Sequence, residues 1–143
     1  MKVRQISVFL ENRSGRLASV LKAVADAKVN IRALSLADTS DFGILRMIVD
    51  DVDACVQALR DTSHTVSTTE VLAVEVPDRP GGLAGILEVL SAAGQNVEYM
   101  YAFVSRASEH ALVVFRFEQV DAAIQTLQQA GISIVEAEKV YSL

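Results

Sequence analysis

The sequence predicts an α+β protein made of two βαββαβ units that pair edge to edge into one eight-stranded antiparallel sheet with four helices on one face. Three observations predict it: the chain repeats itself at an offset of about 66 positions, each repeat switches between strand-like and helix-like spacing in the same order, and the composition is that of a compact core. Hydrophobic residues make up 51% and charged residues 22%, with seven glycines and two prolines, which excludes a disordered chain. At 143 residues each half is close to the length at which a lone core becomes marginal, so the halves are expected to share an interface.

The repeat is specific. Arg13, Gly15, Leu17, Ala18, Leu21, Ala27 and Asn30 fall on Arg79, Gly81, Leu83, Ala84, Leu87, Ala93 and Asn96. After one or two inserted residues, Val52, Asp53, Ala54, Gln57 and Leu59 fall on Val120, Asp121, Ala122, Gln125 and Leu127. The division is therefore expected between residues 1–69 and 70–143, with almost no linker.

In the first copy Val3 to Leu10 alternates as a strand does. Leu17, Val20, Leu21, Val24 and Ala25 recur at helical spacing, which predicts an amphipathic helix after Ser14 with Ser14 as its N-cap. Ile31 to Ala37 and Ile44 to Val49 are β-rich runs around the turn-forming set Asp38, Thr39, Ser40, Asp41 and Gly43, hence a hairpin. Asp51 is placed to cap a second helix whose Val52, Val56 and Leu59 face inward, and Thr65 to Thr69 supplies a last strand. The second copy repeats the order, with strands at Val71 to Val76, Val97 to Ser105, Ala111 to Phe117 and Ile132 to Val140, and helices at Gly82 to Ala93 and Val120 to Ala130. This order is the ferredoxin-like one, in which the second strand of each copy lies at a sheet edge. Pairing Ile31 to Ala37 with Val97 to Phe103 would join the edges. Tyr99, Tyr101 and Phe103 alternate along that edge and serve either core packing or, through a phenol tip, a ligand or second subunit. Leu112, Val114 and Arg116 alternate with Val113, Phe115 and Phe117, so the sheet looks apolar on both faces, and the face opposite the helices is expected to pack on a second copy in a homodimer.

A net charge of −5 repels phosphate backbones and anionic lipid, and no apolar run approaches a membrane span, so neither nucleic acid nor membrane is an expected partner. The one cysteine, Cys55, excludes an internal disulfide, and with no leader-like start the expected location is the cytoplasm. Cys55 reads as a small buried side chain rather than a nucleophile. His64 and His110 fall at strand or hairpin ends with no nucleophile in register, so catalysis is not expected. Asp50, Asp51 and Asp53 read as helix-start complements rather than a metal site, and no cofactor is called for.

Each copy carries a short loop before its first helix: Glu11, Asn12, Arg13, Ser14, Gly15, Arg16, Leu17 in one and Pro77, Asp78, Arg79, Pro80, Gly81, Gly82, Leu83 in the other. Backbone N–H groups at a helix start, a glycine that permits close approach and the helix dipole together suit a carboxylate or phosphate. No Gly-Lys-Ser/Thr ending follows, which excludes a Walker-type loop. Asn30 and Asn96, beyond the helices, either serve a ligand or tolerate a left-handed turn.

These two loops, each followed by Asn30-Ile31 or Asn96-Val97, together with the hairpin run Asp38 to Leu45 and the strand Glu98 to Phe103, resemble the ACT domain family over nearly the whole chain. The likeness is to small stand-alone proteins of two ACT domains. It implies a non-catalytic sensor that binds a free amino acid between the first loop of one domain and the second strand of its partner. Position by position, it puts Asn12, Arg13, Ser14, Gly15, Arg16 and Leu17 with Asn96 and Val97 in one site. Asp78, Arg79, Pro80, Gly81, Gly82 and Leu83 go with Asn30 and Ile31 in the other. A zwitterion needs both charges hydrogen-bonded: Asn12 or Asp78 would take the ammonium and the loop N–H groups the carboxylate. Serine-sensing members place a histidine two residues before the loop Asn or Asp, where this chain has Leu10 and Val76, and Ser14 stands where the family has proline. The first copy also resembles the N-terminal ACT domain of acetolactate synthase regulatory subunits, which makes a biosynthetic enzyme partner the alternative expectation.

Overall fold

The computed structural model describes residues 1–104 and 110–143. Its elements are β1 (Val3–Glu11), α1 (Arg16–Asp26), β2 (Ile31–Asp38), β3 (Phe42–Val49), α2 (Val52–Asp61), β4 (Thr65–Pro77), α3 (Gly82–Ala92), β5 (Val97–Ala102), β6 (His110–Phe117), α4 (Val120–Gln129), β7 (Ile134–Val135) and α5 (Ala137–Tyr141). The strands form one antiparallel sheet in the order β2-β3-β1-β4-β6-β5, with β7 on β4.

Among the described residues seven strands and five helices replace the expected eight and four, for two reasons. The runs Thr65 to Thr69 and Val71 to Val76 are one strand, because Thr69-Glu70-Val71 contains no turn former to break them. β4 pairs with β1 as far as Val71 (Val3 opposite Val71) and with β6 from Leu72 (Leu72 opposite Phe115). At the C-terminus, Ile132 to Val140 is not a strand. Only Ile134 and Val135 pair with β4, and the chain then turns into α5, which seats Val140 in the core and receives the Arg4 N–H on the Tyr141 hydroxyl at 2.9 Å. The expected strand end at Ser105 lies outside the described residues.

The duplication is legible in the backbone. Left-handed residues recur at matching places: Gly15 (φ 88°) and Gly81 (84°), Lys28 (58°) and Gly94 (72°), Ser63 (63°) and Gly131 (72°). Asn30 and Asn96 are not among them, so the left-handed reading of those asparagines is corrected; the conformation falls two residues earlier. Ser14 is not the N-cap either. Gly15 holds that position in its left-handed conformation with no side-chain cap, whereas Asp51 caps α2 as expected, accepting from the Ala54 N–H at 3.1 Å.

Along β4 the even positions face the helices in both halves. Val66 packs with α1 and α2, and Leu72, Val74 and Val76 with α3 and α4, while Val71 and Ala73 face the other way. That second face closes on itself. Val3, Ala33, Ile48, Val71, Ala73, Leu112 and Val114, drawn from strands at both ends of the sheet, make one cluster with Tyr101 and Phe103, so the sheet is a curled half-barrel. Leu112 and Val114 are therefore covered by their own chain, which corrects the expectation that this face awaits a second subunit.

The two edges meet, but through one bridge rather than a ladder: Ala33 opposite Phe103, with the Val104 N–H on the Arg32 carbonyl at 3.4 Å. The pseudo-symmetric counterpart would set Ala37 opposite Tyr99, and among the described residues it does not form. Tyr99 and Tyr101 turn inward instead, to the fully buried Gln5 on β1. Gln5 Nε2 donates to the Tyr99 hydroxyl at 2.7 Å, and the Tyr101 hydroxyl donates to Gln5 Oε1 at 2.6 Å. The Arg46 guanidinium lies 3.9 Å from the Tyr99 ring centroid, a cation–π contact. Burial, and after it the neighbouring Tyr99, pushes the Tyr101 phenol up, which keeps it a donor.

Two predictions follow from this packing. Tyr101→Phe leaves the buried Gln5 carbonyl without its donor and is expected to lower stability by about 1–3 kcal/mol in urea unfolding. Cys55 is fully buried, and burial, with Asp50 and Asp51 beside it, pushes its thiol from 9.0 up to about 11. The unfolded thiol ionises first, so above its ordinary range the unfolded state holds fewer protons and stability falls as pH rises toward about 11. Urea midpoints of wild type and Cys55→Ala measured across that alkaline window should diverge, with the wild type falling further.

Candidate functional site

Both loops that precede the first helix of a repeat fold alike. In the first, the Arg16 N–H donates to the Arg13 carbonyl at 3.2 Å; in the second, the Gly82 N–H donates to the Arg79 carbonyl at 3.0 Å. Gly15 and Gly81 make the left-handed step that turns each chain into its helix. Gly82 is required for a second reason, since a Cβ there would stand 2.0 Å from the Pro77 carbonyl oxygen. Leu17 and Leu83 pack their helices onto the cores. Ser14 and Pro80 sit exposed at the loop tips. Among the loop arginines, Arg13 pairs with Glu11 at 3.0 Å, both groups exposed, a contact of little energetic weight.

Asn12 is held by its own hairpin. Its Nδ2 donates to the Thr39 and Ser40 carbonyls at 3.4 and 3.3 Å, and its N–H to the Asp41 carbonyl at 2.9 Å. Asn30 and Asn96 occupy equivalent places just ahead of β2 and β5. The Asp50 N–H donates to the Asn30 carbonyl at 3.0 Å and the Glu118 N–H to the Asn96 carbonyl at 3.4 Å, while the Asn30 N–H donates to Asp50 Oδ1 at 2.9 Å. Ile31 and Val97 open their strands opposite Val49 and Phe117. Asn12, Asn30, Asp78 and Asn96 are all exposed.

Strand direction decides which of these residues share an end of the molecule. β1 runs parallel to β2, both antiparallel to β3, so within one half the loop at Asn12 and the asparagine at Asn30 lie at opposite ends of the sheet. The bridge between Ala33 and Phe103 sets β2 and β5 antiparallel. The start of β5, with Asn96, therefore points toward the β2–β3 turn that Asn12 grips, and the start of β2, with Asn30, points toward the end of β5. The hydrogen bonds of Asn12 and Asn96 nevertheless stay within their own halves. Asn96 and Val97 border a shallow depression with Leu87, Leu90 and Ser91, and Asn12 is not part of it.

Two further concavities were not foreseen. Arg79, Gly81 and Gly82 border a groove of about 370 Å³ with Gly85, Ile86, Val89 and the turn at 130–133. Its counterpart in the first half, about 380 Å³, is bordered by Arg16, Ser19, Thr62 and His64, with Phe9 and Phe42 stacked at 5.2 Å on its rim. There His64 Nδ1 is 2.9 Å from the Thr62 hydroxyl and Nε2 is 3.5 Å from the Ser19 hydroxyl. The Thr62 hydroxyl donates its proton to the Ala58 carbonyl at 2.9 Å, so it accepts from Nδ1–H. The separation of 45 positions between Ser19 and His64 hides this contact in the sequence; Gly85, a glycine inside a helical pattern, is the one visible signal of the other groove. No group of acidic, histidine and cysteine side chains among the described residues is arranged to hold a metal, and no helix is long and apolar enough to cross a membrane.

A family model described as an ACT domain pair matches residues 1–143. None of the curated proteins matches. Among solved structures the chain is similar to a protein of Bacteroides thetaiotaomicron, with 40% identity and a TM-score of 0.93, covering 100% of this chain and 98% of that one. It is similar in fold to the regulatory subunit of aspartate kinase from Thermus thermophilus in its ligand-free form, at 17% identity and a TM-score of 0.63, over 89% of this chain and 91% of that one. The corresponding subunit from Thermus flavus gives 17% identity and a TM-score of 0.60, over 90% and 92%.

Proposed function

The chain belongs to the ACT domain pair family, a regulatory module, and from that membership we propose that it is an amino-acid-binding sensor with no catalysis of its own. The ligand lies between the halves taken as residues 1–69 and 70–143: one site joins the loop Asn12–Leu17 to Asn96 and Val97, the other joins the loop 78–83 to Asn30 and Ile31. The observation that carries this reading is the antiparallel bridge at Ala33 and Phe103. It runs the two edge strands so that each asparagine points to the end of the molecule where the opposite half's glycine loop stands. A zwitterion would be met there by loop N–H groups for its carboxylate and by Asn12 or Asp78 for its ammonium.

A second reading, a regulatory subunit of an amino-acid biosynthetic enzyme, is favoured by the same fold serving as the regulatory subunit of aspartate kinase in Thermus. Self-association suits either. Phe9, Leu36 and Phe42 are each about half exposed (48%, 47% and 47%), more apolar surface than the fold itself needs to leave open. A cytoplasmic location accords with the one cysteine, which is reduced and buried.

Screening the common amino acids by thermal shift should find one that stabilises the protein, by about 2.7 kcal/mol at a hundredfold excess over its dissociation constant. Asn96→Ala and Asp78→Ala should each weaken that response while leaving the unliganded melting temperature nearly unchanged. Full retention of the response in both variants would overturn the site assignment. A stoichiometric enzyme recovered on the protein from its own lysate would select the subunit reading.

A further inference from the structure

The groove beside the second glycine loop differs from its counterpart in a way the fold does not require. On α3 the positions 82, 85, 86 and 89 share one helical face, and that face borders the groove together with Arg79 and the turn at Ile132. The duplication supplies an internal control. Gly85 corresponds to Ser19 and Ile132 to His64, and in the first half those two side chains bridge helix and turn at 3.5 Å. Glycine and isoleucine cannot make that bridge.

Gly85 has no structural reason to be glycine. It lies inside α3, where glycine is less favourable than alanine because the unfolded chain has more freedom to lose. Its backbone is not in the left-handed region, and a Cβ built there meets nothing within 4 Å. The space it leaves opens onto a groove of about 370 Å³, within the ~300–1,000 Å³ of small-molecule sites. The walls sort by chemistry. Ile86, Val89 and Ile132 are apolar, and Arg79, in the loop that leads into α3, supplies a cation at one end.

We propose that this groove is a ligand site within the second domain for a small aliphatic carboxylate. The carboxylate is held by Arg79 and the first turn of α3, and the hydrocarbon body lies over Gly85 against Ile86, Val89 and Ile132. Amino acids and their 2-oxo acids share that chemistry. The site shares Arg79, Gly81 and Gly82 with the interdomain reading but takes nothing from the first domain and adds Gly85, Val89 and Ile132, so substitutions at position 85 tell the two apart.

The test is isothermal titration of the full chain with valine, isoleucine, leucine and methionine and with their 2-oxo acids, in wild type, Gly85→Ala, Gly85→Leu and Asn96→Ala. Wild type should bind at least one of these compounds. Gly85→Ala should raise the unliganded melting temperature, from its helix preference, and weaken binding about fivefold or more; Gly85→Leu should abolish that binding event, whereas an event lost in Asn96→Ala and kept in Gly85→Leu belongs to the interdomain site. A stabilised Gly85→Ala that binds as well as wild type overturns the proposal, as does binding that is lost in Asn96→Ala and indifferent to position 85. Binding of the 2-oxo acids alone would assign the site to them. If Gly85→Leu fails to fold, the opposite signs expected for Gly85→Ala on stability and affinity still decide.

Discussion

One strand of thirteen residues, β4, pairs with β1 through its first part and with β6 through its second, and everything else in the molecule is placed by that continuity. Two small sheets hinged on a flexible linker would be free to choose their mutual orientation. Here the backbone passes from one to the other inside a hydrogen-bonded strand, so the halves inherit a fixed twist and a common helix-bearing face. The reverse face then has nowhere to go but inward. It curls until Ala33 meets Phe103, and the residues it encloses become a core shared by both halves.

Closure is unequal at the two ends. At the Ala33 end the strands bridge, and α5 fills the floor with Val140 and Tyr141. At the other end Tyr99 leaves the edge to hydrogen-bond the buried Gln5, and Arg46 lies on its ring. A buried amide whose Nε2 and Oε1 each find a phenol is a directional contact: unlike apolar packing it tolerates little sliding, because a displaced partner leaves a polar group without its bond. The start of β5, which carries Asn96, is thereby tied to β1, which carries the Asn12 loop. An amino acid bound across that gap would act on two strands already joined through Gln5.

Much of this was legible in the residues. The repeated Arg-x-Gly-x-Leu-Ala pattern located both glycine loops, period changes located the helices and hairpins, and Asp51 announced its cap. What the residues hid were matters of relative placement. Nothing in Thr69-Glu70-Val71 says whether a strand pauses or continues, and the chain continued. Leu112 and Val114 read as a face in need of a partner, and the partner proved to be the far end of the same sheet. Ile132 to Val140 is β-rich enough to suggest a strand, yet tertiary contacts of Val140 and Tyr141 made its end a helix. The site was half legible for the same reason: glycines reveal where a backbone turns into a helix, but which asparagine each loop faces depends on strand direction and on how the edges meet. Gly85, inside a helical pattern, takes its meaning from its place in the repeat opposite Ser19, whose contact with His64 only the fold reveals.

The alternation of side chains along β4 acts as a phase lock between the two halves. Even positions point to the helices on both sides of Val71, so the number of residues between Val66 and Leu72 is constrained to parity and not merely to length. A single residue inserted there would roll the second unit over, sending Leu72, Val74 and Val76 into the barrel and Ala73 out among α3 and α4. Gain or loss of residues in this segment is therefore tolerated only in pairs, or as a bulge that restores the phase.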